Sequence, residues 1–158
     1  MIRLNEIKTQ KGKVFLITGA NSGLGYETSK FLLEKGATVI MCCRDLRKGE
    51  KAKLELLKFN FSGKIELVEL DLSDIKNVKK FAINIKKKFN HLDVLINNAG
   101  IMAPPKTFSK QGLEIQFAVN HLAHMSLTLE LLAMLEEKNN SRVVTVTSGV
   151  QYFGKIQW

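Results

Sequence analysis

The sequence predicts a doubly wound α/β fold, a parallel β-sheet with helices on both faces. Three observations carry that expectation. Short runs of β-branched and apolar residues alternate with longer stretches of helical period along the chain. The short runs are nearly continuously apolar, as strands buried on both faces require. A glycine-rich turn follows directly on the first run, where the first strand of such a sheet hands over to its first helix.

The elements follow in order. KVFLIT at 13–18 leads into TGANSGLG at 18–25, and an amphipathic stretch over 24–35 stops at Gly36, a residue suited to a helix C-terminus. ATVIMCC at 37–43 predicts the second strand and 46–58 the second helix. KIELVEL at 64–70 is the third strand, and Ser73 is the expected N-cap of the third helix, 74–88. LDVLI at 92–96 is the fourth strand, Pro104-Pro105 marks a loop, and 112–137 is the longest helical stretch. RVVTVT at 142–147 is the fifth strand. Right-handed crossovers leave few ways to connect this series, of which the nucleotide-binding sheet is the commonest.

Length and composition bound the function. A chain of 158 residues suits one domain with one substantial core, so 1–158 reads as a single domain. Hydrophobic residues at 45% and charged residues at 25% are the balance of a soluble globular protein. No apolar run reaches bilayer-spanning length, and MIRLNEIKTQKGK at the N-terminus has no hydrophobic signal region. The expected address is therefore cytoplasmic, with no membrane partner. Cys42 and Cys43 are adjacent, with neither metal-ligand spacing nor a disulfide framework. The net charge of +9 invites a nucleic-acid reading, but the lysines are scattered over many segments. The densest cluster, Lys86-Lys87-Lys88, ends a helical stretch, where cations suit the negative end of the dipole. A solvated face is the expectation, not a nucleic-acid partner. His121 and His124 lie three apart on a helix, but no carboxylate or third ligand converges on them, so no metal site is expected.

The turn TGANSGLG departs from G-x-G-x-x-G, because the third glycine of that pattern would fall on Thr28. Its spacing is T-G-x-x-x-G-x-G, with the same physics: glycines permit a tight turn and let backbone N–H groups approach a pyrophosphate at a positive helix end. Further marks fall in order behind it: Asp71-Leu72 after the third strand, NNAG at 97–100 after the fourth, Asn120 in the fourth helix and Ser148 after the fifth strand. With these marks the chain resembles the short-chain dehydrogenase/reductases, and the resemblance covers nearly all of it. It implies a Rossmann-type sheet. It also implies that Gly19, Asn21, Ser22, Gly23, Leu24 and Gly25 form the dinucleotide turn, with Gly19, Gly23 and Gly25 shaping it. Asp71 and Leu72 would contact the adenine, Asn97 would brace the central strand, and Asn98, Ala99 and Gly100 would line the site, the last two leaving space for the adenosine ribose. In the catalytic set it implies Asn120 for the proton relay and Ser148 for orienting the substrate oxygen.

The second strand ends MCCRD, Met41 to Asp45. A cofactor without the 2′-phosphate wants a carboxylate there for the ribose hydroxyls, and Cys43 cannot serve. Arg44 follows at once, and a guanidinium clamps a phosphate with paired donors. NADP(H) is therefore expected over NAD(H), with Arg47 and Ser22 as weaker candidates for the same phosphate; the competing reading pairs Arg44 with Asp45 or with solvent. VIMCCRDLRKGE also looks like the branch holding retinol dehydrogenases and light-dependent protochlorophyllide reductases, with NNAG leaning away from the latter.

Tyr152 and Lys155 suggest the family's general acid/base pair, but the family spacing is Y-x-x-x-K and here it is Y-x-x-K, with Gly154 inside. Tyr152 also follows Ser148 by four residues, where the family leaves about a dozen for the active-site loop. QYFGKIQW instead looks like the loop before the catalytic helix, so the fold is expected to be C-terminally incomplete. The resulting expectation is an NADP(H)-dependent oxidoreductase acting on a small, lipophilic carbonyl or alcohol, present as a truncated chain inactive on its own. The alternative is a dinucleotide-binding module without turnover. The family also implies homo-oligomers through the fourth helix, whose apolar face over 122–135 would be under-covered.

Overall fold

A computed structural model of the chain describes residues 6–149. Five strands, β1 (Val14–Thr18), β2 (Thr38–Cys43), β3 (Lys64–Glu69), β4 (Val94–Asn97) and β5 (Arg142–Thr145), pair in parallel in the order β3-β2-β1-β4-β5. Helices α1 (Gly23–Glu34), α2 (Leu46–Leu57) and α3 (Ile75–Lys88) connect the first four strands. The last crossover is composite: α4 (Ile115–Phe117), a π-helical turn Ala118–Leu122, and α5 (Ala123–Glu136).

The pleat distributes the apolar residues between two cores. Val14 and Leu16 of β1, with Ile40 and Cys42 of β2, face α3 and α5, meeting Val78, Phe81, Ile85, Leu127 and Leu131. Phe15 and Ile17, with Val39 and Met41, face the other way onto Leu32 and Leu33 of α1 and Ala52 and Leu56 of α2. Successive side chains point to opposite faces of a strand, so a continuous apolar run is what a sheet covered on both sides needs. Each fully buried aliphatic side chain contributes about 1.5–3 kcal/mol, which makes β1 and β2 the energetic centre. The periphery differs. β5 pairs with β4 along Arg142–Thr145, yet its four residues are all exposed. Met125, Leu129 and Leu132 on α5 are exposed as well.

Several boundaries shift by a residue or two from the sequence expectation, β4 to Val94–Asn97 and β5 to Arg142–Thr145 among them, and two helix starts shift for a visible reason. Asp74, not Ser73, caps α3: its carboxylate accepts from Lys76 N–H at 3.0 Å, while the Ser73 hydroxyl donates back to Asp71 Oδ1 at 2.6 Å. The fourth helical stretch begins at Ile115 rather than 112, because Gly112 and its neighbours close a small loop. In that loop Ser109 N–H donates to Leu113 O at 2.8 Å and Ile115 N–H to Thr107 O at 3.2 Å. Glu114 then caps the helix through Gln116 and Phe117 N–H.

Asp74 also fastens that loop to α3, accepting from Lys110 Nζ and from Gln111 Nε2, both at 3.0 Å. These bonds, Lys110 first and Gln111 second, with the Lys76 N–H and the Lys110 charge behind them, hold its pKa down from 3.8 to about 2. A carboxyl with a depressed folded-state pKa stabilises fully above its unfolded value and loses that contribution as pH falls through the folded one. The stability gap between the native chain and Asp74→Asn is accordingly expected to be constant near neutrality and to close between about pH 4 and about pH 2. Urea midpoints across that range check it, and a gap that holds its size at pH 2 contradicts it.

Candidate active site

The strand order reverses between β1 and β4, since the chain steps outward from β1 through β2 to β3 and returns on the other side. In an open parallel sheet such a reversal leaves a crevice beyond the carboxyl ends of the strands. Here it is a cleft of about 420 Å³ lined by the ends of β1, β2 and β4, the turn before α1 and the turn before α3.

The floor is knitted by one hydroxyl. Thr18, fully buried, accepts through Oγ1 from the N–H groups of Asn98 and Ala99, each at 2.9 Å. The Asn98 amide answers by donating Nδ2 to the Thr18 carbonyl at 2.8 Å. Glycine is required at two points of this joint. Gly19 has φ +64°, and a Cβ there would stand 2.9 Å from Ala99 Cα; a Cβ on Gly25 would stand 2.4 Å from the Gly19 carbonyl oxygen and 2.6 Å from Asn98 Nδ2. Ser22 is the N-cap of α1 but makes no side-chain cap hydrogen bond, so the first N–H groups of the helix are not capped by its hydroxyl. That arrangement suits an anion, because the helix end carries partial positive charge.

Asp71 and Leu72 form a wall. Asp71 is also a turn residue: its Oδ1 accepts from Ser73 N–H at 2.9 Å, and its own N–H donates to Asn77 Oδ1 at 3.0 Å. At the rim, Arg44 is exposed and faces the cleft. Among the described residues no carboxylate lies within 4.0 Å of its guanidinium. Asp45 is occupied elsewhere, capping α2 through Arg47 N–H at 2.9 Å and Lys48 N–H at 3.2 Å and pairing with the Arg47 side chain. Cys43 is buried beside Arg44, its thiol donating to the Asp45 carbonyl; burial, then the Asp45 and Glu69 charges, raise its pKa.

Asn21, Leu24 and Gly100 also line the cleft, whereas Gly23 and Gly25 shape the turn without lining it. Asn97 is buried and donates to Thr128 Oγ1 at 3.1 Å, tying β4 to α5. Asn120 stands in the π-helical turn, where one residue more per turn bulges the helix outward. Its amide grips the loop after β4 from both sides, accepting from Ile101 N–H at 2.9 Å and donating to Ile101 O at 2.8 Å. Ser148 is exposed just past Val146, which lines the cleft and whose N–H donates to Asn97 O at 2.9 Å. Tyr152 and Lys155 lie outside the described residues. The two helix histidines part company: His121 stacks on Phe117, and His124 is buried against Thr18. No group of three His, Cys, Asp or Glu side chains among the described residues could hold a metal ion.

The profile of the short chain dehydrogenases matches residues 13–158. The chain belongs to that family. Human retinol dehydrogenase 11 is 42% identical over 93% of this chain and 46% of its own length, so the chain spans about half the length of the curated relatives it matches. Among solved structures, an uncharacterized protein from Mycobacterium paratuberculosis is 43% identical with a TM-score of 0.72, over 84% of this chain and 46% of that one. The Pseudomonas aeruginosa RhlG/NADP active-site complex is 27% identical with a TM-score of 0.74, over 87% and 55%. In this short-chain dehydrogenase, the cleft gathers most of the residues that the motif spacing singled out. Thr18 and His124 are joined to it in roles the sequence did not assign: Thr18 heads the quoted turn as a strand-end hydroxyl, and His124, weighed only as half of a metal pair with His121, is buried against it.

Gly25→Ala is expected to cost about 1–3 kcal/mol of stability, because its Cβ meets a backbone carbonyl that cannot move without opening the Thr18 joint. A lower urea midpoint checks this, and an unchanged one would show that the turn can relax.

Proposed function

We propose that the chain is the dinucleotide-binding part of an NADP(H)-dependent oxidoreductase that moves a hydride between nicotinamide and the alcohol or carbonyl carbon of a small lipophilic substrate. The observation that carries the cofactor choice is the rim of the cleft. Arg44 stands there without a carboxylate partner among the described residues, and a thiol, Cys43, occupies the place where an acid would accept from ribose hydroxyls. The residues present fit the group: the uncapped start of α1 offers N–H donors to a pyrophosphate, Asp71 and Leu72 offer a wall for the adenine, and Gly100 leaves room beside the floor. The bound dinucleotide would supply or accept the hydride.

What the chain itself supplies is position. Thr18 and Asn98 hold the floor, Arg44 gives the 2′-phosphate paired donors, and Ser22 stands near enough in sequence to the α1 start to add a hydroxyl. Asn120 is assigned to the proton relay and Ser148 to orienting the substrate oxygen, both by family position. The lipophilic substrate class is supported by the relatives, which are named retinol dehydrogenases. Tyr152 is not assigned as the general acid, because Y-x-x-K does not stack it with Lys155 on one helix face and it follows Ser148 by only four residues, where the family leaves about a dozen.

Titration of the chain with both cofactors is expected to show NADPH binding more tightly than NADH. Arg44→Ala should weaken NADPH about tenfold or more, since a charge-assisted bond is worth about 1.5–3 kcal/mol, and leave NADH unchanged. Equal loss for both would sink the assignment. The same 158-residue chain, given NADPH and a lipophilic aldehyde, is expected to show cofactor binding without hydride transfer. Measurable turnover would return Tyr152 to the catalytic set.

A further inference from the structure

His124 is almost wholly buried, yet its ring makes two polar contacts that join separate parts of the site. Nε2 lies 2.9 Å from Thr18 Oγ1, and Nδ1 lies 3.2 Å from the Asn120 carbonyl. A hydroxyl has one proton and two lone pairs. Both lone pairs of Thr18 Oγ1 are taken by the N–H groups of Asn98 and Ala99 at 2.9 Å. The Thr18 proton is therefore the only one available between Oγ1 and Nε2, and Nε2 must accept it. The alternative acceptor for that proton, Ile96 O, is 3.5 Å away, at the limit of a useful bond. With Nε2 accepting, a neutral ring carries its proton on Nδ1, which faces a carbonyl and donates to it. Burial, which lowers the His124 pKa, agrees with a neutral ring.

We propose that His124 is a positioning residue: a neutral imidazole with its proton on Nδ1 that holds Thr18 in the orientation receiving Asn98 and Ala99, and holds the Asn120 carbonyl in the π-helical turn. It is the link between the floor of the dinucleotide cleft and the segment that carries the relay asparagine. An Nε2–H ring would present a third donor to an oxygen with no lone pair left, and would drive the Asn98 or Ala99 N–H away. A fully apolar side chain would release the Thr18 proton to rotate, leaving a buried donor without a good acceptor. The second rung of the same helix supports the register. Thr128 Oγ1 donates to the His124 carbonyl at 2.8 Å while accepting from Asn97 at 3.1 Å, so α5 meets the strand ends at two fixed points. The consequence for binding rests on the dinucleotide reading of the cleft, whereas the tautomer does not.

The test has two arms that separate those claims. In the first, ¹⁵N-histidine NMR of the 158-residue chain, with His124 assigned among the three histidines by its loss in His124→Gln, reads which ring nitrogen bears the proton. Nδ1–H is the expected result; Nε2–H or a charged ring near neutral pH overturns the proposal. In the second, NADPH affinity is measured on folded variants. His124→Phe is expected to weaken binding about tenfold, and His124→Gln, whose side-chain carbonyl can take the Thr18 proton, to stay within about threefold of the native chain. In a Thr18→Val background His124→Phe should add no more than about twofold, because the joint it serves is already gone. Full additivity of the two losses overturns the positioning role, since a merely structural contribution would add. Native chain that shows the Nδ1–H ring but no NADPH binding would remove the cofactor reading and keep the tautomer; where His124→Phe does not fold, the NMR arm and His124→Gln decide.

Discussion

The close approach of the end of β1 to the end of β4 is the constraint on which the remaining structure depends. β1 is central and fully buried, so its carboxyl end cannot leave its last polar groups to water. Thr18 and Asn98 resolve this by bonding to each other's backbone, and that bonding sets how near Gly19 comes to Ala99. Everything placed around the cleft inherits its position from that joint. The turn before α1 can pass only with glycine at 19 and 25. The loop after β4 leaves the sheet where Asn120 can grip Ile101. α5 descends where Thr128 and His124 reach the strand ends.

The energetic and chemical layers are thus divided between different side chains of the same strands. Leu16, Ile17, Val39 and Ile40 stabilise by burial alone, and none of them lines the cleft. At the ends of β1 and β4 the polar residues Thr18, Asn97 and Asn98 do the positioning. A parallel sheet allows this because all its carboxyl ends point the same way, so one crevice collects the terminal residues of several strands. The part of the site nearest β1 and β4 is accordingly the part tied together by partly buried hydrogen bonds. Arg44 at the rim and the four residues of β5 are exposed.

Much of the fold was legible because its signals are local. Continuous apolar runs, glycines after a strand and acidic or hydroxyl residues before a helix each act over a few residues. The sequence therefore placed five strands and four helical stretches in order. It erred where two local signals competed. Ser73 and Asp74 are both capping residues, and the tie was broken by Asp71, which takes the serine hydroxyl, and by Lys110 and Gln111, which come from thirty-odd residues away to meet Asp74. The helical period over 112–137 continued into a segment that the loop 107–115 claims for itself, and a π-helical turn of five residues has no composition that announces it.

From the sequence alone came the alternation that makes a doubly wound sheet, the glycine turn, the order of the family motifs and the arginine that follows the second strand. Tertiary structure alone decided which of these residues meet. It turned Asp45 away from Arg44 to cap α2, it made Asp71 both a wall and a turn, and it brought His124 106 residues along the chain to Thr18. The physical reason is the same in each case. A polar side chain has several possible partners of similar worth, and only the burial of the surrounding backbone determines which partner is within reach and which would be left unsatisfied.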